Sequence, residues 1–326
     1  MKIMLTTIGA IIAAIVLWAI AAAFLAAQQP PSSQSSRMFA PYVDMSKMAD
    51  RLSYIQSRAG TNTLTFAFIV GGNGCAPTWL PNSLVRSETT ISAAIATFRA
   101  AGGEIVIAFG GYDALELAQT CNDVPSLQAA YQAVVDKYKL KILDFDIEHT
   151  AIEDPVSIDR RSQAIAALAA ANPGLQINYT LPATPAGLTN LSINVIQSAA
   201  KFHTPVAVVN LMAMDYGAQL PTGAMGPDAV AAASGAACQL KVLGLNAQIG
   251  ITPMIGVNDS AGETFTLDDA QVVVNYALAN SNTVTWLAFW SIGRDNGGCF
   301  GQVSPYCSGL PQKDWDFTRI FQKFTQ

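Results

Sequence analysis

Residues 140–148 read LKILDFDIE, an apolar run without glycine or proline that is typical of a buried β-strand. Acidic residues nevertheless occupy every second position of its second half, at Asp144, Asp146 and Glu148. Because side chains alternate across a strand, the three carboxyl groups face one way and the apolar side chains between them face the other. Neighbouring carboxyl groups would lie roughly 6.5 to 7 Å apart, so that each charge raises the pKa of the next.

Two ordinary explanations fit this stretch poorly. An acidic edge strand facing solvent would not carry large apolar residues at every other position. A metal site usually takes ligands from several segments, and the chain has only two histidines. We therefore interpret the stretch as a general acid with carboxylate partners that tune it.

The chain as a whole alternates strand-like and helix-like segments. Strands are predicted at residues 39–43, 64–70, 104–109, 141–148, 175–181, 206–214, 248–254 and 284–290. Helices are predicted at 46–58, 84–101, 129–139, 158–171, 193–202, 228–243, 267–280 and 315–324. Shorter helical pieces are predicted after the third strand, through residue 115. Eight such units predict one (β/α)8 TIM barrel. The alternative, a doubly wound sheet, would be expected to carry a glycine-rich phosphate loop, and no GxGxxG or Walker pattern is present.

The N-terminus is predicted to be a separate segment. Lys2 precedes an apolar run, residues 3–27, that is long enough to span a membrane and ends in small residues suited to signal cleavage. Residues 1–27 are therefore predicted to be a signal peptide or a transmembrane anchor, and both alternatives stay open. Residues 28–37 (QQPPSSQSSR) would form a Pro/Ser linker before one catalytic domain at 38–326. Either alternative places that domain outside the cytoplasm, secreted or anchored.

Composition and cysteine content agree with an exported globular domain. The chain has 326 residues, a net charge of −5, 51% apolar and 13% charged residues. The acidic balance gives no support for nucleic-acid binding and leaves room for a neutral polymer as substrate. Cys299 could pair with Cys307 and Cys75 with Cys121, while Cys238 is expected to be a buried free thiol in an apolar helix.

The strand ends indicate where a ligand would bind. In a barrel of this type the active site lies at the C-terminal ends of the strands, where the last acid of the DxDxE pattern falls. Tyr42, Tyr216 and Trp290 follow three other strands, and aromatic faces stack on sugar rings, so they predict a sugar-binding cup. Gly110 and Gly111 end the third strand, and we expect them to let a ligand approach the backbone.

Seven segments in chain order carry a resemblance to a known family: FAPYVD, AFGG, LDFDIE, NYTLP, NLMAMDYG, ITPMIGVND and LAFWSIGRDN. They cover about residues 38–326 and resemble bacterial chitinases of glycoside hydrolase family 18, in the branch similar to chitinase D. The DxDxE segment is the most specific of them. The resemblance implies hydrolysis of the β-1,4 bonds between N-acetylglucosamine units of chitin or its oligosaccharides, without a metal or organic cofactor.

The family pattern also implies a role for each acid. Glu148 would donate the proton, Asp146 would orient and stabilise the acetamido group of the substrate, and Asp144 would share a proton with Asp146. Trp290 would form the floor of the subsite that holds the reacting sugar. His149 is expected to pack behind these groups without taking part in the chemistry.

The sequence departs from the family pattern at two places. Lys141 stands where the longer motif DxxDxDxE has its first Asp, and we expect only a structural effect there. Met212 and Asp215 match the strand-six motif M-x-Y-D and are expected to contact substrate, but its tyrosine is Met214 here. Tyr216 follows and is the candidate to take over the hydrogen bond to the acetamido oxygen.

In this family the N-acetyl oxygen of the substrate attacks the anomeric carbon, so configuration is retained without an enzyme nucleophile. Many members also carry an α+β insertion after strand seven, and residues 255–266 are too short for one. A shallow groove and endo cleavage are therefore expected. The alternatives are an endo-β-N-acetylglucosaminidase acting on glycans, a non-catalytic chitin-binding protein, and a membrane-anchored protein whose barrel binds a partner.

Overall fold

The computed structural model describes residues 37–217 and 224–326. The predicted signal or anchor at 1–27 and the predicted linker, except Arg37, lie outside these residues. Within the described part, no helix combines the length and the apolarity that crossing a membrane requires.

Eight parallel strands close into a barrel, which confirms the predicted (β/α)8 fold. They are β1 (Met38–Phe39 and Tyr42–Asp44), β2 (Thr63–Gly71), β3 (Glu104–Gly110), β4 (Ile142–Asp146), β5 (Gln176–Thr184), β6 (Val206–Met212), β7 (Gln248–Thr252) and β8 (Val284–Leu287). Each lies where the sequence predicts a strand. β4 ends at Asp146, so Glu148 stands just beyond the strand and not within it.

The break in β1 is what closes the barrel. Met38–Phe39 pairs with β8, whereas Tyr42–Asp44 pairs with β2. Pro41 lies in the break, where it has no N–H to offer to a ladder. Its carbonyl still accepts a hydrogen bond from the Thr65 N–H at 3.0 Å, so the first strand bridges its two neighbours in succession.

The helices surround the barrel, and their bounds differ from the predictions by a few residues. They are Met45–Met48, Leu52–Ala59, Thr90–Ala100, Leu117–Thr120, Val124–Tyr138, Thr150–Glu153, Pro155–Ala171, Asn190–Lys201, Met225–Val242, Leu267–Ala279 and Asp316–Phe321. The predicted helix start at residue 84 is wrong. Leu84 lies in the short strand Ser83–Leu84, which pairs with Pro77–Trp79 at the edge of β2.

Two apolar layers follow from the alternation of the strands. The outer layer, between strands and helices, contains Phe145 and Ile147. The inner layer is small and contains Tyr42, Ala108 and Trp286. Asp144 and Asp146 are buried on this inner side, as the two-residue period of the DxDxE stretch predicts.

Disulfides hold two of the loops at the C-terminal face. Cys75 is bonded to Cys121, and Cys299 to Cys307, as the sequence suggests. Cys238 is free, but it is exposed rather than buried. The helix Met225–Val242 presents its alanine-rich face to the barrel, and Cys238 lies on the other face.

Candidate active site

Asp144 is the deepest of the three acids and is fully partnered. The Tyr42 hydroxyl donates to its Oδ2 at 2.7 Å, and the Thr180 hydroxyl donates to its Oδ1 at 2.7 Å. Burial raises the pKa of Asp144 to about 6, and these two hydrogen bonds act in the opposite direction. Tyr42 is therefore a buried partner of Asp144, and its place in the sugar-binding cup stays a prediction.

The polar contacts continue across the barrel beneath Asp144. The side-chain nitrogen of Asn210 lies 3.0 Å from Thr180 Oγ1 and 3.4 Å from the Tyr42 hydroxyl. The Asn210 oxygen accepts from the Thr252 hydroxyl at 2.9 Å. Residues of four different strands thus meet under the acids of β4.

Asp146 differs from Asp144 in having an unsatisfied oxygen. Its side chain is 5% exposed, yet Oδ1 has no hydrogen-bond partner. Burial, followed by the charges of Glu148 and Asp144, raises the pKa of Asp146 well above its usual value. A buried carboxyl oxygen without a donor costs stability, and a ligand N–H would satisfy it.

Glu148 stands at the mouth of the barrel, partly buried. The Ile147 N–H donates to the Thr180 carbonyl at 3.0 Å, which carries the line of β4 on to this residue. Burial, with the nearby charges of Asp113 and Asp215, raises the pKa of Glu148 to about 7. At neutral pH a large fraction of Glu148 therefore holds a proton that it can donate.

Aromatic side chains line one side of this mouth. The Trp290 ring stacks on Phe68, with ring centroids 5.6 Å apart and planes at 15°, and it lies 6.1 Å from the Tyr42 ring. The backbone of Trp290 bonds to the loop after β7, through the Pro253 carbonyl and the Ile255 N–H. The predicted sugar floor is thus held from both sides, and Phe68, which the sequence did not single out, supports it.

The two glycines after β3 pack closely against groups of the site. A Cβ at Gly110 would lie 2.1 Å from the Asp146 carbonyl oxygen, and one at Gly111 would lie 2.7 Å from the Phe68 ring. The Gly111 N–H also donates to the Asp146 carbonyl at 3.0 Å. Both glycines therefore position groups of the site, and the approach of a ligand to their backbone stays a prediction.

The loop after β6 brings Asp215 to Glu148 but carries Tyr216 elsewhere. Asp215 has a positive φ of 49° and accepts from the Ser260 N–H at 2.7 Å. Tyr216 packs against the outer apolar layer, and the charges that act on its hydroxyl are Asp228 and Glu263. The described geometry does not place the Tyr216 hydroxyl beside the acids. Met212 ends β6 and is partly buried.

One further pair of residues lies beside Glu148. The ring of His149 lies 4.5 Å from that of Tyr112, and Tyr112 is 61% exposed. His149 has a positive φ of 49°, which turns the chain away from β4. No sequence pattern points to Tyr112 beyond its place directly after the glycines. Within residues 37–217 and 224–326, no group of His, Cys, Asp and Glu side chains is arranged to hold a metal ion.

No family model matches the chain, but individual relatives do. It is 34% identical over 321 residues to a probable bifunctional chitinase/lysozyme of Escherichia coli strain K12, covering 91% of this chain and 35% of that protein. It is 33% identical over 285 residues to endochitinase 11 of Metarhizium anisopliae, covering 82% of this chain and 54% of that protein. The chain thus spans between a third and just over half of the length of these relatives.

A solved structure matches over nearly its whole length. Active domain 2 of the chitinase from Pyrococcus furiosus is 33% identical, with a TM-score of 0.78, and the match covers 89% of this chain and 97% of that one. This similarity extends over the barrel and the segments that carry the acids. The chain belongs to the family 18 chitinases.

Proposed function

We propose that this protein is an endo-chitinase that cleaves β-1,4 bonds between N-acetylglucosamine units by substrate-assisted, retaining catalysis. The observation that carries the proposal is the arrangement of the three acids. Glu148, with its pKa raised to about 7, stands at the mouth. Beneath it lies Asp146, with a buried Oδ1 that no donor satisfies.

The reaction follows from these positions. Glu148 gives its proton to the glycosidic oxygen as the bond to the anomeric carbon breaks. The acetamido oxygen of the same sugar attacks that carbon and forms an oxazolinium ion. Asp146 accepts the acetamido N–H and offsets the positive charge. Water then opens the ring as Glu148 takes back a proton, so configuration is retained.

Relatives of known substrate class support the choice of ligand. The Pyrococcus furiosus domain has been solved as catalytic-site mutants complexed with chito-oligosaccharides. Chitin or its oligosaccharides are accordingly the partner we propose for this chain. The same relatives give no reason to prefer the glycan-releasing or the non-catalytic alternative. Placement in the chitinase D-like branch stays a prediction.

The nucleophile provides the sharpest test. Chitin oligosaccharides should be cut, whereas oligosaccharides deacetylated at the sugar next to the cut should bind without being cleaved. A stable thiazoline mimic of the oxazoline should inhibit competitively. A covalent sugar adduct on Asp215 or Asp113, trapped with a fluorinated substrate and seen by mass spectrometry, would contradict the proposal.

The short loop after β7 supports cleavage within chains. The loop after β7 contains only the hairpin Gly256–Val257 and Thr264–Phe265, which is too small to form a wall along the substrate. On a soluble chitin derivative, viscosity should fall early and products should be of mixed length. A steady release of dimers at nearly constant viscosity would point to processive cleavage from chain ends.

Export is a separate proposal. It is supported by the sequence of residues 1–27, with Lys2 on the cytoplasmic side, and by two disulfides in the described part of the chain. Mass spectrometry of the native protein should find Cys75, Cys121, Cys299 and Cys307 oxidised. An intact N-terminus in the membrane fraction would indicate an anchor, and a truncated one a cleaved signal. Free thiols at all four positions would contradict export.

A further inference from the structure

The polar chain beneath the acids has no part in the mechanism as proposed so far. It runs from β7 to β4 through side chains that are at most 2% exposed: Thr252, Asn210, Thr180, Tyr42 and Asp144. The interior of a small barrel is ordinarily filled with branched apolar side chains. A run of polar groups there needs every donor and acceptor to be satisfied. Which group donates each hydrogen bond can be deduced from the number of protons and lone pairs that each group has.

The two hydroxyl groups each have one proton to give. Tyr42 and Thr180 lie 2.7 Å from the two oxygens of Asp144, and an ionised carboxylate can only accept. Both protons are therefore directed to Asp144. The 2.9 Å contact between the two hydroxyl oxygens is then a contact of lone pairs, which is unfavourable unless a further donor lies against them.

Asn210 supplies that donor. Its NH₂ group faces both hydroxyl oxygens, at 3.0 and 3.4 Å. The opposite side of the amide accepts from Thr252 at 2.9 Å. Turning the amide over would point its oxygen at the lone pairs of the two hydroxyl groups, whose protons are already given to Asp144. A Cβ on Gly250 would lie 2.6 Å from the Asn210 oxygen, so glycine at this position of β7 leaves space for the amide.

We propose that Asn210 is a positioning residue for the reaction: its amide turns the hydroxyl protons of Tyr42 and Thr180 onto Asp144 and so holds that carboxylate ionised. This inference rests on the proposed function for its consequence, but not for its geometry. When Asp144 and Asp146 both become protonated, Asp146 no longer carries the charge that offsets the oxazolinium ion. Asn210 lowers the pH at which both aspartates become protonated.

None of the other groups around Asp144 in the described residues supplies a positive charge that would keep it ionised. From its own strand Asp146 faces it, and an ionised Asp146 has no proton to donate to Asp144. β3 contributes Ala108 in register with Asp144, and β1 contributes Tyr42, whose own pKa is raised well above its usual value by burial and by the two aspartates. No lysine or arginine in the described residues forms an ion pair with Asp144.

The test compares the full chain with its Asn210→Asp and Asn210→Leu variants. Asn210→Asp keeps the shape but replaces the donor with an acceptor, so each hydroxyl must divide one proton between two carboxylates. The titration midpoint of Asp144, followed by carboxyl ¹³C NMR and assigned with Asp144→Asn, should rise by at least about one pH unit. Asn210→Leu only removes the donor and should raise the midpoint by less.

The acid limb of the kcat/KM profile on chitin oligosaccharides should move by the same amount, so that activity below the wild-type limb falls roughly tenfold per unit. A merely structural role would lower the Tm of Asn210→Leu, which adds no charge near Asp144, without moving either of its midpoints. If Asn210→Asp does not fold, Thr252→Val serves instead, because it removes the hydrogen bond that holds the Asn210 amide in place and should shift both midpoints in the same direction.

The outcomes separate the two claims. Folded variants with an unmoved Asp144 titration overturn the role of Asn210, whether or not chitin is cleaved. If the Asp144 midpoint moves in the variants but the wild type cleaves no chitin, the role of Asn210 in ionising Asp144 is supported and the proposed function is refuted. A shift of both the titration and the acid limb supports both.

Discussion

Two buried carboxylates on neighbouring segments have opposite environments. Glu116, in the loop after β3, receives two hydrogen bonds from the Arg161 guanidinium at 2.9 and 3.1 Å, one from the Tyr131 hydroxyl at 2.7 Å and one from the Ala118 N–H at 2.9 Å. Asp146 is buried to a similar degree, yet one of its oxygens has no donor and its charged neighbours are other acids. The first site is complete without a ligand, and the second is not.

The difference separates stability from function. A buried carboxylate that is ion-paired and fully hydrogen-bonded is costly to disturb. A buried carboxylate left unsatisfied lowers stability and keeps a position ready for a substrate group. A change among the three acids should therefore lower turnover and leave folding intact, whereas a change at Glu116 should lower stability and leave turnover intact.

The largest effect on turnover is expected from Glu148→Gln. The variant keeps the shape and loses the transferable proton, and general acid catalysis is worth roughly 10²- to 10⁴-fold. We expect kcat to fall by that factor, while oligosaccharide binding survives and stability is unchanged or higher. Hydrolysis of chitin oligosaccharides and calorimetric binding measure this, and a variant with more than half of the wild-type kcat would refute the assignment.

The matched change at the other site is Glu116→Gln. It leaves the Arg161 charge buried without a partner, for which the cost is about 3 to 5 kcal/mol of unfolding free energy. Urea unfolding should show this loss. The kcat per folded molecule should change by less than about threefold. A loss of turnover as large as that of Glu148→Gln, at unchanged stability, would remove the distinction between the two sites.

The barrel and the acids were predictable for a common reason: they repeat with a period. Alternation placed Asp144 and Asp146 inside, and the eight apolar segments predicted the strands. The contacts behind Asp144 were not predictable, because Thr180 and Asn210 are small polar residues with no periodic pattern of their own. They acquire a role only when β5 and β6 are placed beside β4.

Loop residues escaped prediction for a different reason. Asp215 adopts a left-handed backbone conformation, which Asp tolerates better than most residues. The conformation reverses the chain, so Tyr216 packs on the outer layer. Spacing along a sequence carries no information about such a reversal. Glycine at 110 and 111 was recognised as special, but the groups that it packs against, Asp146 on β4 and Phe68 on β2, could not be deduced from the sequence.

The pH dependence of the unfolding free energy tests whether the buried acids of the active site lower stability. The folded state raises the pKa of Asp144 to about 6 and of Glu148 to about 7, so it binds these protons more tightly than the unfolded chain does. Stability is therefore greatest below the unfolded values, near 4, and is lost as pH rises to about 7. For Asp144 the loss is on the order of 3 kcal/mol.

Asp144→Asn is the control, because it removes this titration and keeps the shape. Urea unfolding at pH 4 and pH 7 should show a larger decrease for the wild type than for the variant. Parallel pH curves for the two proteins would mean that Asp144 is not held in an environment that favours its protonated form.

The smallest effect is expected at Lys141, which begins the same stretch that ends in Glu148. Its side chain is 75% exposed and lies 3.0 Å from Glu104, which is 56% exposed. Exposed pairs of this kind contribute at most about 1 kcal/mol, and the N-terminal end of β4 is the end remote from the acids. Lys141→Ala should therefore change stability by less than that and leave kcat within error. A fall in kcat comparable to that of Glu148→Gln would contradict this. It would mean that the charge at the exposed end of β4 affects the acids at its buried end, and that Lys141 has a function in the site.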